Sequence, residues 1–241
     1  MKFYRRWQPV QAMTFDLDDT LYDNRTVILR AEQLLLDWLQ ARCPEMSAFD
    51  WAEWQAMRLQ VIERDVSLVG FVTDIRRAQI TLAAGRCGMD AINAKQFADE
   101  AVAFFLHERS NFSVPQDAFD TLSALAEDYP LIAITNGNVD SERLGLSPYF
   151  QQVFAAGPDG AAKPDGALFI KAQQALGLPV SQILHVGDHL KSDVRGAKLA
   201  GFKACWFNDT KKPLTKQRHA SILPDVEISH IGQLLSLTRD S

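Results

Sequence analysis

The chain predicts an α/β fold in which a parallel sheet forms the core and a bundle of helices is inserted after the first strand. Three observations lead there. Short apolar runs of strand length alternate with amphipathic segments of helix length, the pattern of βαβ units and a parallel sheet. Between about residues 23 and 112 that alternation stops, and four amphipathic segments follow one another with no strand-like run. A chain of 241 residues, 47% of them hydrophobic, is long enough to bury a core and an inserted unit without disulfides.

The elements follow in order. Ala12-Met13-Thr14-Phe15 is the first apolar run and reads as a buried strand. Within the insertion, helical spacing of apolar residues spans Val27 to Gln40, Trp51 to Glu63, Val72 to Ala84 and Ala94 to His107. Four helices of similar length can close into a small bundle whose Trp and Phe residues form its core. A helix over Gln116 to Glu127 leads into a second strand at Leu131-Ile132-Ala133-Ile134. A weaker strand, Gln152-Val153-Phe154-Ala155, is followed by a helix from Ala167 to Leu176. The strand Ile183-Leu184-His185-Val186, a helix over Ser192 to Ala200 and the strand Ala204-Cys205-Trp206-Phe207 complete the pattern. The expected division is residues 1–22 with 113–241 for the α/β core and 23–112 for the helical unit, which enters just after the first strand, where an insertion can act as a lid.

Composition narrows the function classes. A net charge of −5 and a pI near 5.5 argue against a broad nucleic-acid footprint. Cys43, Cys87 and Cys205 are odd in number and widely spaced, which gives neither a zinc pattern nor a disulfide framework and suits a reducing cytoplasm. The N-terminal basic residues precede no apolar signal region, and no run approaches the ~18 apolar residues that span a bilayer. The basic run Lys211 to His219 reads as a solvated loop that weakly attracts anions.

Chemistry concentrates at the strand ends, where ligand crevices of open α/β sheets lie. Asp16 and Asp18 stand two residues apart after the first strand. An acidic pair is by itself often a cap or turn, but two close carboxylates call for a compensating cation or proton, and Mg2+ with substrate phosphate suits them. After the second strand, Thr135-Asn136-Gly137 offers a hydroxyl and backbone N–H groups to an anion. Lys163, in Ala162-Lys163-Pro164-Asp165, adds a point positive charge. Gly187-Asp188 and, five residues on, Asp193 bring further carboxylates to the next strand end. Thr20 fixes the first loop, and Asp19 supports it through its backbone N–H. His185, inside a strand, reads as a satisfied core histidine. His189 can meet substrate or solvent. Tyr22, Asn24, Arg25 and Phe71 are candidate substrate contacts.

Asp16-x-Asp18-x-Thr20, Thr135-Asn136-Gly137, Lys163-Pro164 and Gly187-Asp188-x4-Asp193 resemble, in this order, the four motifs of the haloacid dehalogenase (HAD) superfamily of phosphohydrolases. The likeness covers nearly the whole chain, because the inserted helices resemble that family's type 1 cap. It implies a Rossmann-like core and a Mg2+-dependent phosphomonoesterase of the cytoplasm, acting on small phosphorylated metabolites as a monomer or weak homo-oligomer, with no nucleic-acid or membrane partner. It further implies that Asp16 is the nucleophile, Asp18 the acid–base, and Asp16, the Asp18 carbonyl and Asp188 the metal ligands. Thr135, the Asn136 N–H and Lys163 would bind phosphate, and Asp193 would orient Lys163 or a metal-bound water. Within the family the chain resembles phosphatases of flavin mononucleotide and of a phosphorylated riboflavin precursor. The same scaffold also serves haloacid dehalogenases, which typically lack the carboxylate at the position of Asp18, as well as broad sugar-phosphate phosphatases and phosphomutases. A non-catalytic member would be expected to lose Asp16 or Asp18.

Overall fold

The computed structural model describes residues 1–217 and 219–237. The chain divides into two compact units. The first comprises Met1–Asn24, Ser113–Gly137 and the chain from Ser141 onward, and the second comprises Arg25–Phe112 with Asn138–Asp140.

The first unit is built on a seven-stranded sheet. Its strands are β1 (Lys2–Phe3), β2 (Ala12–Phe15), β3 (Leu131–Thr135), β4 (Gln152–Ala155), β5 (Ile183–Gly187), β6 (Lys203–Phe207) and β7 (Val226–Ile228). Their order is β1-β7-β6-β5-β2-β3-β4, parallel throughout except where β1 pairs antiparallel with β7. β2 lies between β3 and β5, so the chain first builds outward on one side of β2 and then returns to build on the other. That reversal is the topological switch point at which α/β sheets bind ligands. Every residue of β2, β3 and β5 is buried, as continuous apolar runs covered on both faces require.

The helices of this unit are α5 (Gln116–Asp128), α6 (Ala167–Leu176) and the short α7 (Gly196–Leu199). α6 contributes Leu168, Phe169 and Ala172 to a core shared with Ala12, Ile134, Ile183, Val194 and Phe202. Its stop is Gly177, at φ 64, a left-handed cap that costs glycine little. The single helix expected over Ser192 to Ala200 is instead a π-helical segment, Leu190–Arg195, running into α7. Its first turn is bent around the Asp193 carboxylate, which accepts a hydrogen bond from the His189 backbone N–H at 2.9 Å. β1 and β7 were not anticipated, since two and three residues are too short to show a period.

The second unit is helical: α1 (Asn24–Arg42), α2 (Trp51–Arg64), α3 (Val72–Arg86) and α4 (Ala91–Arg109). α2 opens with a capping box, Asp50 accepting from the Glu53 N–H and Glu53 reaching back to the Asp50 N–H, which is worth ~1 kcal/mol. Ala94, Ala98 and Ala101 of α4 are buried in one core with Ile80, Ala83 and Ala84 of α3; small residues at helical spacing let those two helices approach closely. Trp38 is half-buried beside Phe97 and Phe104. Trp51 departs from the expectation for the bundle aromatics: it is 72% exposed. Asn138 and Asp140 join this unit through hydrogen bonds, from Asn138 Nδ2 to Thr73 Oγ1 at 3.0 Å and from the Asp140 N–H to Ser110 Oγ at 2.9 Å.

Candidate functional site

Asp16, Asp18, Thr135, Asn136, Lys163, Asp188 and Asp193 all lie in the first unit, at or just beyond the carboxyl ends of β2, β3 and β5 and on the segment after β4. Lys163 is the hub. Its ammonium is 2.8 Å from Asp16 Oδ1 and 2.7 Å from Asp193 Oδ1, and it donates to the Ile134 carbonyl at 2.6 Å. The lysine is 4% exposed, Asp16 7% and Asp193 1%, so these charges are held by one another rather than by water. Asn136 supports the hub with its side chain, a use not foreseen from the sequence: Nδ2 donates to the Lys163 carbonyl at 2.9 Å and Oδ1 accepts from the Lys163 N–H at 2.7 Å. That pairing ties the turn after β3 to the segment carrying the lysine.

Two carboxylates share one ammonium, and their surroundings decide which keeps its charge. Asp193 also receives the His189 backbone N–H and faces Nε2 of His185 at 3.4 Å. Against a burial effect that acts upward, Lys163 and His185 hold its pKa well below the usual range. Asp16 lacks those extra donors. Burial pushes it up to about 7, with Asp193 and Asp18 adding to the rise and Lys163 opposing it. Burial likewise lowers the Lys163 pKa, but Asp16 and Asp193 outweigh it and leave the ammonium more firmly protonated than usual. Asp188 is pushed up to about 8, by burial first and then by the charges of Asp193, Asp16 and Asp19. Asp16, Asp188 and Asp193 each present an oxygen within 4.8 Å of the others. A hard oxygen set with two strained carboxylates fits a divalent cation such as Mg2+.

Thr20 Oγ1 accepts from the Asp188 N–H at 3.1 Å, and the Asp188 carbonyl accepts from Trp206 Nε1 at 2.8 Å, so Asp188 is pinned from both sides. Thr135 Oγ1 accepts from the Gly137 N–H at 2.9 Å, closing the turn expected there. Asp19 supports its loop through its carboxylate, which accepts the Asn24 N–H at 2.9 Å, from a left-handed backbone with φ 59. Tyr22 is 5% exposed in the first unit; rather than offering a surface contact, it donates its hydroxyl to Asp18 Oδ1 at 2.5 Å. His189 caps the segment after it, its ring accepting from the Ser192 N–H at 3.1 Å. In the basic run, Leu214 is buried and Arg218 lies outside the described residues.

His185 is a satisfied buried histidine, and it also joins the site. A carboxylate only accepts, so Nε2–H points to Asp193 and Nδ1 accepts from Thr14 Oγ1 at 2.9 Å. Burial holds its pKa down to about 4, and the ring meets Phe169 edge-on. Two glycines make room for carboxylates. A Cβ on Gly137 would stand 2.3 Å from Asp18 Oδ2, and one on Gly187 would stand 2.4 Å from the Asp193 carboxyl carbon.

The family model of haloacid dehalogenase-like hydrolases matches residues 10–201. The chain belongs to that family. It is 41% identical over 237 residues to the 5-amino-6-(5-phospho-D-ribitylamino)uracil phosphatase YigB of Escherichia coli, covering 98% of this chain and all of that one. A glyceraldehyde 3-phosphate phosphatase of Methanopyrus kandleri is 27% identical over 96% of the chain and 98% of its own. Among solved structures, one described as a 2-haloacid dehalogenase from Pseudomonas syringae superposes with a TM-score of 0.89 at 36% identity, covering 95% of this chain and 97% of the other. The family match and the phosphatase likeness over the full length make this chain a phosphatase. Among the described residues no helix is long and apolar enough to cross a membrane.

Proposed function

We propose that the chain hydrolyses small phosphate monoesters through an aspartyl-phosphate on Asp16, with flavin mononucleotide and phosphorylated ribitylaminouracil as substrates. The observation that carries this reading is the buried Asp16, whose Oδ1 is held by Lys163 beside a second acid, Asp18, two residues on. Asp16 attacks phosphorus. Asp18 gives a proton to the departing alcohol oxygen and then takes one from the water that opens the intermediate. Thr135, the Asn136 N–H and Lys163 bind phosphoryl oxygens, while Asp193 holds Lys163 in place. Asp16, Asp188 and the Asp18 carbonyl would hold Mg2+, which would supply charge neutralisation at the phosphoryl group. The helical unit is proposed as the cap that selects substrate. The substrate assignment draws on the activity of the 41% identical relative and on the sequence resemblance to flavin-pathway phosphatases.

The test is phosphate release from a panel of monoesters, with and without Mg2+, alongside halide release from 2-haloacids. Metal-dependent release concentrated on ribityl phosphates is expected. Equal turnover of simple sugar phosphates would overturn the substrate assignment and leave a broad phosphatase. Interconversion of a sugar phosphate that depends on a bisphosphate would instead mark a mutase. The likeness to a dehalogenase structure favours halide release as a second reading, but dehalogenases need neither Asp18 nor a metal, and no halide release is expected.

The metal assignment also predicts a pH dependence of stability. Asp16 and Asp188 titrate in the folded protein near 7 and 8, against ~3.9 unfolded. The native state therefore binds more protons, and without metal these groups lower stability as pH rises toward 8. His185, lowered to about 4 from 6.5, acts in the opposite sense, but only below 6.5. Between pH 6.5 and 8 the melting temperature of metal-free protein should fall, and Mg2+ should raise it more at pH 8 than at 6.5. A Mg2+ shift of equal size at both pH values would count against the assigned ligands.

A further inference from the structure

The loop after β2 reverses on itself. The N–H groups of Thr20 and Leu21 both donate to the Leu17 carbonyl, at 3.2 and 2.9 Å, and Asp19 turns through a left-handed backbone. The reversal returns residue 22 to the side of residue 18, where the two form a bridge. Buried Tyr22 then donates its hydroxyl to Asp18 Oδ1 at 2.5 Å. The other carboxylate oxygen, Oδ2, lies against Gly137, at a distance that leaves no space for a Cβ there. Oδ1 of Asp18 thus meets a phenol, and Oδ2 is on the side of the turn carrying Thr135 and Gly137.

We infer that Tyr22 is a positioning residue for the acid–base step, and that it assigns Asp18 Oδ2 as the oxygen that exchanges the proton. A carboxyl torsion is broad and nearly two-fold, so an unrestrained Asp18 would present either oxygen. The phenol O–H donates to Oδ1 throughout and is not consumed. As the bond from Asp16 to phosphorus forms and the bond from phosphorus to the leaving oxygen breaks, the proton on Oδ2 moves to that oxygen. In the second half, water attacks phosphorus, the bond to Asp16 breaks, and the water's proton returns to Oδ2. The inference rests on the reading of Asp18 given under Proposed function.

The test compares Tyr22→Phe, Asp18→Asn and the double variant by kcat/KM, which reports phosphoenzyme formation and leaving-group departure. The substrates are an alkyl phosphate and p-nitrophenyl phosphate, whose leaving group departs without a proton. Tyr22→Phe is expected to lose about 10- to 100-fold on the alkyl phosphate and little on p-nitrophenyl phosphate. Asp18→Asn should show the same selectivity more strongly, and the double variant should be no worse than Asp18→Asn. Turnover of p-nitrophenyl phosphate also reports that each variant is folded. Equal losses on both substrates, or additive losses in the double variant, would make Tyr22 merely structural and overturn the inference while leaving Asp18 in its role. If Asp18→Asn itself shows no dependence on the leaving group, the reading of Asp18 fails and the inference with it.

Discussion

Asp16→Asn is expected to reduce phosphate release by on the order of 10^4-fold or more, the scale on which enzymes lose activity when a nucleophile is removed. An amide has no charged oxygen with which to attack phosphorus, and no neighbour can replace it: Lys163 is a donor, Asp193 is bound to Lys163, and Asp188 approaches from another strand end. The loss should be chemical rather than structural. Asn fills the same volume and its Oδ1 can still accept from Lys163, which also keeps Asp193 and the Ile134 carbonyl. In metal-free protein the native Asp16 is a strained acid, raised to about 7 by burial and its neighbours. Above that pH the variant should melt at the same temperature as the native protein or higher, a gain in stability at the expense of function. Acid quench during turnover should trap a phosphorylated Asp16 in the native protein and none in the variant. Near-native release by a folded Asp16→Asn protein would show that the nucleophile lies elsewhere.

Much of the scaffold was legible because it is encoded locally. The runs at Ala12–Phe15 and Gln152–Ala155 are strands with the expected bounds, and β3, β5 and β6 each extend theirs by one residue. All four helices of the insertion are present, but they begin or end a few residues beyond the apolar period. α4 starts at Ala91 because Asp90 accepts from the N–H groups of Ile92 and Asn93, a capping signal that lies outside the hydrophobic stripe. The chemistry-bearing residues were legible as a sequence of strand-end motifs. Their pairings were not. Lys163 meets Asp16 across 147 positions and Asn136 across 27, and no local period encodes such partners. Gly137 and Gly187 stand in the quoted motifs, and their lack of a side chain leaves space for the carboxylates of Asp18 and Asp193. Tyr22 read as a candidate substrate contact because only the reversal after Asp18 shows where its hydroxyl goes.

Asp193→Asn is the variant expected to cost the fold most. The substitution keeps the volume packed over Gly187 but removes the carboxylate whose pKa Lys163 and His185 hold well below the usual range. Among the described residues, Lys163 would be left buried with Asp16 as its one anionic partner, and burial works against ionisation of Asp16. Removing one partner of a buried ion pair typically costs 3–5 kcal/mol, because the remaining charge is uncompensated. Asp16 recovers part of that, so about 3 kcal/mol is expected near pH 7. The sign with pH follows from the depressed pKa. In the native protein the stability from Asp193 is present above the unfolded value near ~3.9 and is lost as pH falls below it. The variant should therefore be weaker at neutral pH and lose less on acidification, so that denaturant midpoints of the two proteins converge toward low pH. Parallel profiles would mean that the ion pair with Lys163 contributes no net stability.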